Sequence, residues 1–167
     1  MSLVLVALAS RHGSTREIGK AIASQLQASG LDAVVAEPTE IITMDGFDAA
    51  IIRSAVYAGH WMKDARDLVE LEAEGLRHRP TWLFSVGPLG DAPASVEDPV
   101  DLPRLIQLVN PRKHRIFAGS LDRDRLGFFE RAIVRLVHAP TGDFRPWPAI
   151  ADWAQGIANE LKGTLVA

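Results

Sequence analysis

The sequence predicts a three-layer α/β domain in which a parallel β-sheet lies between two layers of helices. Short apolar runs, typical of strands covered on both faces, alternate along the chain with segments whose apolar residues recur at helical spacing. The chain has 167 residues, 47% of them hydrophobic, which suits a single domain over residues 1–167 with a substantial core. Right-handed crossovers between successive strands then place helices on both faces of the sheet.

Five strands and five helices are predicted in order. The strands are the apolar runs Leu3–Leu8, Ala33–Ala36, Ala49–Ser54, Thr81–Val86 and Arg115–Ala118. The helices begin near Arg16, run from Met62 to about Leu76 and from Leu102 to Val109, include Phe128 to Val137, and begin again near Pro148. Gly30 is expected to end the first helix, and Asp45-Gly46 to form a turn before the third strand.

The turn after the first strand is rich in hydrogen-bond donors. Its hydroxyl groups, a glycine that can turn freely and the unpaired N–H groups of a starting helix favour an anion such as a nucleotide phosphate. The spacing matches neither the Walker A pattern nor Gly-x-Gly-x-x-Gly, so hydroxyls and backbone would hold the phosphate. Alternatively, Ser14 or Thr15 only caps the helix. The predicted phosphate-binding residues are Ser10, Arg11, His12, Gly13, Ser14 and Thr15.

Two further loops follow strands at the same edge of the predicted sheet, where ligands bind in such folds. Tyr57 or Trp61 offers an aromatic face to a flat ring; the alternative is that both are packed beneath a loop. Glycines in these loops let peptide groups approach a ring, and Asp91 can accept a hydrogen bond. The cofactor-binding residues predicted here are Ala55, Val56, Tyr57, Ala58, Gly59, Trp61, Ser85, Val86, Gly87, Pro88, Leu89, Gly90 and Asp91.

His60 is the candidate catalytic residue, because a histidine can exchange a proton near neutral pH. The alternative is a structural or solvent-facing histidine. With no cysteine in the chain, disulfides, thiolate zinc sites, iron–sulfur clusters and cysteine nucleophiles are excluded. No metal site is predicted, so redox chemistry would need a bound cofactor.

Charge and hydropathy limit the partners. The net charge of −3 argues against a nucleic-acid binder, and the short apolar start, without a basic leader, argues against a signal peptide or spanning helix. A cytoplasmic protein is expected, with peripheral membrane contact left open. The basic stretch from Arg112 to Arg135 suits an anionic substrate, an acidic partner or a lipid surface, or is a solvated face with local ion pairs.

Several motifs together carry a family resemblance: Ser10–Ile18, Tyr57–His60, Leu83–Val86, Phe117–Asp122, Phe129–Arg131 and Thr141–Asp143. With these, the chain resembles flavodoxins over nearly its full length, and more closely the flavodoxin-type, menaquinone-linked protoporphyrinogen dehydrogenases. The resemblance implies a flavodoxin-like sheet of order 2-1-3-4-5 and bound FMN. It places the phosphate on Ser10 to Thr15 and the isoalloxazine between the other two loops. The chain is less acidic than flavodoxin electron carriers, and its connection from Val137 to Trp147 is compact for a protoporphyrinogen dehydrogenase.

The expected function is that of an FMN-dependent oxidoreductase acting on a planar or quinone-like small molecule. The alternatives are a flavodoxin-type single-electron carrier with a redox protein partner, and a non-catalytic binding module. A phosphoacceptor receiver is disfavoured, because Ala9-Ser10 and Arg53-Ser54 stand where acidic metal ligands would be needed. A hydrolase is also disfavoured, since the chain has no Gly-x-Ser-x-Gly elbow and the sequence identifies no base partner for Ser85 or Ser120.

Overall fold

A computed structural model describes residues 2–9, 14–87, 98–118, 120–121, 142–143 and 145–165. The strands are β1 (Leu3–Ala9), β2 (Asp32–Ala36), β3 (Ala49–Tyr57), β4 (His60–Trp61), β5 (Thr81–Gly87), β6 (Lys113–Ala118), β7 (Ser120–Leu121) and β8 (Gly142–Asp143). The helices are α1 (Ser14–Ala28), α2 (Lys63–Leu71), α3 (Ala73–Arg77), α4 (Leu102–Val109) and α5 (Trp147–Leu165), with a 3₁₀ turn at Pro38–Glu40. The predicted helix from Phe128 to Val137 lies outside the described residues.

Five parallel strands form the sheet in the order β2-β1-β3-β5-β6. Counting the parallel strands alone, this is the order 2-1-3-4-5, which confirms the predicted fold class. The chain passes from β1 to β2 on one side and then to β3 on the other, so the strand order reverses between β1 and β3. In the register of this pair, Leu8 lies opposite Arg53 and Ala9 opposite Ser54.

The sheet divides the core into two halves, because successive side chains of a strand point to opposite faces. On one face, Val4, Val6 and Leu8 of β1 pack with α1 and α5. On the other face, Leu5, Ala7 and Ala9 pack with residues of α2, α3 and α4. Both faces of the central strands are therefore buried, as the apolar runs predict.

The segment Ala55–Trp61, predicted to be a loop, is a β-hairpin. β3 continues to Tyr57, and β4 returns antiparallel to it, with Val56 opposite Trp61 and Tyr57 opposite His60. Ala58 and Gly59 at the turn have φ values of 50° and 79°, the left-handed pair that suits a two-residue hairpin. Sequence patterns favour Asn-Gly or Asp-Gly at such a turn, so the Ala-Gly dipeptide does not predict a hairpin here.

The predicted helix from Met62 to Leu76 is two helices, α2 and α3, which meet at Glu72. The Glu72 carboxylate accepts a hydrogen bond from the backbone N–H of Met44, 3.0 Å away. The hydrogen bond to Met44 therefore lies at the break between α2 and α3. The apolar periodicity of the sequence does not reveal this break. Of the helices described, none combines the length and apolarity needed to cross a membrane.

Helix α1 approaches β1 closely at Gly19. A Cβ atom at Gly19 would lie 2.0 Å from Leu8 Cδ1 and 2.9 Å from Leu8 Cγ. Both residues are buried, so a side chain at position 19 would have to displace the helix or Leu8. The absence of a side chain lets the start of α1 sit directly over the end of β1.

We expect Gly19→Ala to lower the free energy of unfolding and Gly156→Ala to raise it. Alanine gains about 1 kcal/mol over glycine within a helix, but overpacking at Leu8 costs about 1 to 3 kcal/mol. Among the described residues, no atom lies within 4 Å of a Cβ added at Gly156 in α5, so we expect only the helical gain there. Urea unfolding of both variants measures the difference, and equal stabilisation by the two would contradict the close contact.

Candidate functional site

The carboxyl ends of β1, β3 and β5 meet at one edge of the sheet, beside the point where the strand order reverses. The structure brings three of the predicted groups to this edge: the start of α1, the β3–β4 hairpin and the end of β5. Ser14 and Thr15 open α1. The predicted residues that lie outside the described part of the chain are Ser10, Arg11, His12, Gly13, Pro88, Leu89, Gly90 and Asp91.

Asp101, just before α4, anchors the β3–β4 hairpin. Its carboxylate accepts hydrogen bonds from the Trp61 backbone N–H at 3.0 Å, from His60 Nδ1 at 3.1 Å and from Arg66 Nη1 at 3.3 Å. A carboxylate only accepts, so Nδ1 of His60 carries a proton in this contact. The contacts fix the returning strand of the hairpin and the position of the imidazole.

A second contact ties the hairpin turn itself to the same segment. The backbone N–H of Val100 donates to the carbonyl of Gly59 at 2.8 Å. On the other side, Ser54 Oγ accepts from the N–H of Met62 at 2.8 Å and donates to the carbonyl of Ala55 at 2.7 Å. The turn and both ends of the hairpin are therefore held in place.

The surroundings of Asp101 shift its pKa. Burial by itself raises the pKa of this carboxyl, but hydrogen bonds from His60 and the Trp61 amide, together with the charge of Arg66, bring it below its usual value of 3.8. The charged form is therefore favoured in the folded protein. Its contribution to stability is complete above the unfolded pKa and is lost as the pH falls through the folded pKa.

A buried hydrogen-bond chain joins the hairpin to β5 and β6. Trp61 Nε1 donates to Ser85 Oγ at 2.8 Å, and Ser85 Oγ lies 2.9 Å from His114 Nε2. Burial lowers the pKa of His114, against a smaller opposing effect of Asp98. With Trp61 as its donor, the Ser85 hydroxyl can donate to a neutral imidazole. The structure thus supplies the base partner that the sequence did not identify for Ser85, but Ser85 is fully buried and serves packing rather than nucleophilic attack.

The two predicted aromatic residues have different environments. Trp61 is only 2% exposed, so it takes the packing role that the sequence left as the alternative, and its ring is closed to a stacking ligand. Tyr57 is 40% exposed, and the His60 side chain is 48% exposed. Of the other residues predicted here, Ala55 and Val56 are half-buried, Ala58 and Gly59 are exposed, and Val86 and Gly87 are buried.

Arg53 is a site residue that the sequence analysis missed. It lies in β3, is 2% exposed, and its Nε and Nη1 atoms have no hydrogen-bond partner among the described residues. Burial lowers its pKa to about 9; Tyr57 acts to raise the pKa and Arg145 to lower it further. The feature of the sequence that could have indicated a role for Arg53 is its position as a charged residue inside an otherwise apolar central strand.

Arg145 brings a second cation to this region. It pairs with Glu17 in the first turn of α1, and its guanidinium lies 4.6 Å from the centre of the Trp147 ring. Arg53 and Arg145 therefore place positive charge beside the start of α1, where the sequence predicts an anion.

Among the described residues, the charged groups away from this edge form no second candidate binding site. No group of three metal-binding side chains occurs in the part of the chain that the structure describes. Arg112 and Lys113, which open the basic stretch, pair with Glu160 at 3.5 Å and 3.4 Å, and Arg112 also lies 5.7 Å from the centre of the Trp82 ring. These two basic residues make local contacts, in agreement with the alternative that the stretch is a solvated face with local ion pairs. Residues 122–135 of the stretch lie outside the described ranges.

We expect Asp101→Asn to lower the free energy of unfolding by about 1 to 3 kcal/mol at neutral pH, because several partly buried hydrogen bonds to a charged acceptor are weakened. The deficit should shrink as the pH falls below about 4, since the wild-type carboxylate then takes up a proton. The control is Asp67→Asn, which removes an exposed pair with Lys63 and should change stability by less than about 1 kcal/mol. Urea unfolding from pH 3 to pH 7 tests this, and a pH-independent deficit would contradict the role of the charge.

Comparisons with known proteins agree on one family. The flavodoxin domain matches residues 5–146. A protoporphyrinogen IX dehydrogenase (quinone) of Escherichia coli strain K12 is 26% identical over 164 residues, covering 93% of this chain and 90% of that protein. A flavodoxin from the domain Archaea superposes with a TM-score of 0.65 at 14% identity, covering 96% of this chain and 99% of that one. Two-electron reduced Megasphaera elsdenii flavodoxin gives 0.63 at 12% identity, with coverages of 93% and 98%.

Proposed function

The chain belongs to the flavodoxin-domain family, and on that premise we propose that it is an FMN-dependent oxidoreductase that exchanges electrons with a planar or quinone-like substrate. Family and fold support an FMN-binding redox flavoprotein as the class of protein. The observation that carries the finer proposal is the β3–β4 hairpin, which is held at several points and leaves Tyr57 and His60 accessible at the switch point of the sheet.

The described residues fit FMN. The start of α1 at Ser14 and Thr15 offers helix N–H groups to a phosphate, and the buried guanidinium of Arg53 adds positive charge at the same edge of the sheet. At the hairpin turn, the nearest described atom to a Cβ built on Gly59 is Val100 Cγ2 at 3.9 Å, so no described residue crowds a ring at this backbone. Bound FMN would supply the electron chemistry, and the protein would hold and orient it.

The hairpin is suited to position a flat ring with little reorganisation. Asp101 and Val100 already hold it in one conformation, so binding a ligand need not order it, which favours affinity. Tyr57 has an accessible side chain against which a flavin or a substrate can stack.

His60 favours a reaction on a small molecule over simple electron transfer. Oxidation of a hydroquinone or a reduced porphyrin releases protons as well as electrons, so a proton acceptor is useful. Asp101 holds Nδ1 of His60, and the partly exposed ring keeps Nε2 as a second site for a proton. A single-electron carrier has no need of such a group.

The proposed substrate class is supported by the similarity to the E. coli protein, whose name gives protoporphyrinogen IX and a quinone. The alternative is a flavodoxin-type single-electron carrier, which the superposition on two flavodoxins favours. These structures are similar in fold, and His60 with Asp101 is the feature of this chain that supports catalysis.

We expect Tyr57→Ala to weaken FMN and riboflavin binding by a similar factor of up to about tenfold, because ring stacking is worth about 0.5 to 1.5 kcal/mol. Flavin fluorescence, quenched in the wild-type complex, should rise in this variant. Tyr57→Phe keeps the ring and is the matched control. Fluorescence titration of the apoprotein gives both quantities, and quenching that persists unchanged in Tyr57→Ala would rule out stacking on this residue.

We expect the flavin-loaded protein to oxidise protoporphyrinogen, and its reduced form to be reoxidised by menaquinone-type quinones under anaerobic conditions. His60→Ala should slow this turnover by roughly 10²- to 10⁴-fold, because a proton-transfer group is lost, with FMN affinity little changed. Stopped-flow absorbance of the flavin measures each half-reaction, and His78→Ala provides a control at a histidine outside the site. If neither small molecule reacts but a one-electron protein partner reoxidises the flavin rapidly, the protein is a carrier.

A further inference from the structure

Arg53 is a buried charge that the described fold does not neutralise. Charged side chains are almost never fully buried unless they are paired, because an unpaired buried charge is costly. At 2% exposure, Arg53 has two guanidinium nitrogens, Nε and Nη1, without a hydrogen-bond partner in the described ranges. The groups that act on it are Tyr57 and a second cation, Arg145. Such a residue is expected to have a partner that the described residues do not supply.

The register places Arg53 beside Leu8, the residue of β1 on which α1 packs at Gly19. Arg53 lies opposite Leu8 of β1, at the point where the strand order reverses. It follows Ile51 by two residues, so it faces the layer of α1 and α5. The close contact of Gly19 with Leu8 brings α1 down onto the same place.

The first turn of α1 provides an independent connection to Arg53. Glu17 in that turn pairs with Arg145, and the charge of Arg145 in turn acts on Arg53. Glu17 is thus a partner of Arg145, whereas Nε and Nη1 of Arg53 have no partner among the described residues. The N-terminus of a 15-residue helix adds the partial positive charge of its dipole.

We propose that Arg53 is a phosphate-binding residue, whose guanidinium contacts from below a phosphate monoester held at the start of α1. The inference rests on the proposed function, in which that monoester is the phosphate of FMN. A guanidinium can donate two hydrogen bonds to phosphate oxygens, and a dianion neutralises the excess charge at this position. Arg53 would then determine preference for the mononucleotide over riboflavin, which has the same ring system but no phosphate.

The test compares FMN and riboflavin binding to the apoproteins of the wild type, Arg53→Met, Arg53→Lys and Arg104→Met by fluorescence titration. Arg104→Met is the matched control, since it removes a positive charge from a side chain that is 70% exposed. We expect Arg53→Met to weaken FMN binding about 10- to 100-fold and to leave riboflavin binding within about twofold. Arg53→Lys should fall between, because it keeps the charge and loses the paired donors. Arg104→Met should bind both flavins as the wild type does.

A second measurement uses inorganic phosphate alone. We expect phosphate to raise the Tm of the wild-type and Arg104→Met apoproteins. The Tm of Arg53→Met should not change, when each Tm is compared with the value at the same ionic strength without phosphate. Equal weakening of FMN and riboflavin in Arg53→Met, or no weakening of FMN, would overturn the proposal. If Arg53→Met does not fold, Arg53→Lys decides: a selective loss of FMN supports the proposal and an unchanged FMN-to-riboflavin ratio overturns it.

Failure of the proposed function is distinguishable from failure of this inference. A wild-type protein that binds neither flavin defeats the proposed function. The phosphate measurement then decides on Arg53 by itself. A rise in Tm that only Arg53→Met loses supports a phosphate-binding residue, and the absence of any rise in the wild type overturns it.

Discussion

The parallel pairing of β1 with β3 is the constraint on which the rest of the structure depends. Because both faces of this pair are covered by helices, side chains that alternate along the strands must enter two separate cores. Because both strands run in the same direction, their following segments emerge at one edge. The start of α1 and the β3–β4 hairpin are thus neighbours in space although about 40 residues separate them in the chain.

The fold was largely predictable, since its elements are encoded locally. Apolar runs identified the five parallel strands, and α4 spans the predicted residues 102–109. The hairpin was missed because its turn is Ala58-Gly59, and a left-handed alanine is not a pattern that sequence statistics favour. The break between α2 and α3 was missed because Glu72 bonds to a segment distant in sequence.

The site was predicted less completely, because its key contacts are long-range. Tyr57 and His60 stood out as an aromatic residue and a histidine in a loop at the correct edge, and both are accessible there. Asp101, which holds His60, lies 41 residues further along the chain, and no local pattern links the two. In the sequence, Arg53 served only as evidence against a phosphoacceptor receiver, which would need an acidic residue at that position. Its significance depends on burial without a partner, which only the assembled structure can show.

The buried polar groups at this edge separate structural roles from a binding role. Ser85 and His114 satisfy each other and the Trp61 indole, and the Ser54 hydroxyl is used twice within the hairpin. These groups stabilise a fixed arrangement, since each has the partner that burial requires.

Arg53 contrasts with them, because its Nε and Nη1 atoms lack such partners among the described residues and the charge of Arg145 acts on it. An unpaired buried charge costs the folded state free energy, so a requirement of folding does not account for this residue. Such a charge is explained more readily by a ligand that binds the folded state, because the free energy of binding then offsets the cost of burying the charge. By this reasoning, the imbalance of charge beneath α1 is the part of the structure that points most directly to an anionic cofactor.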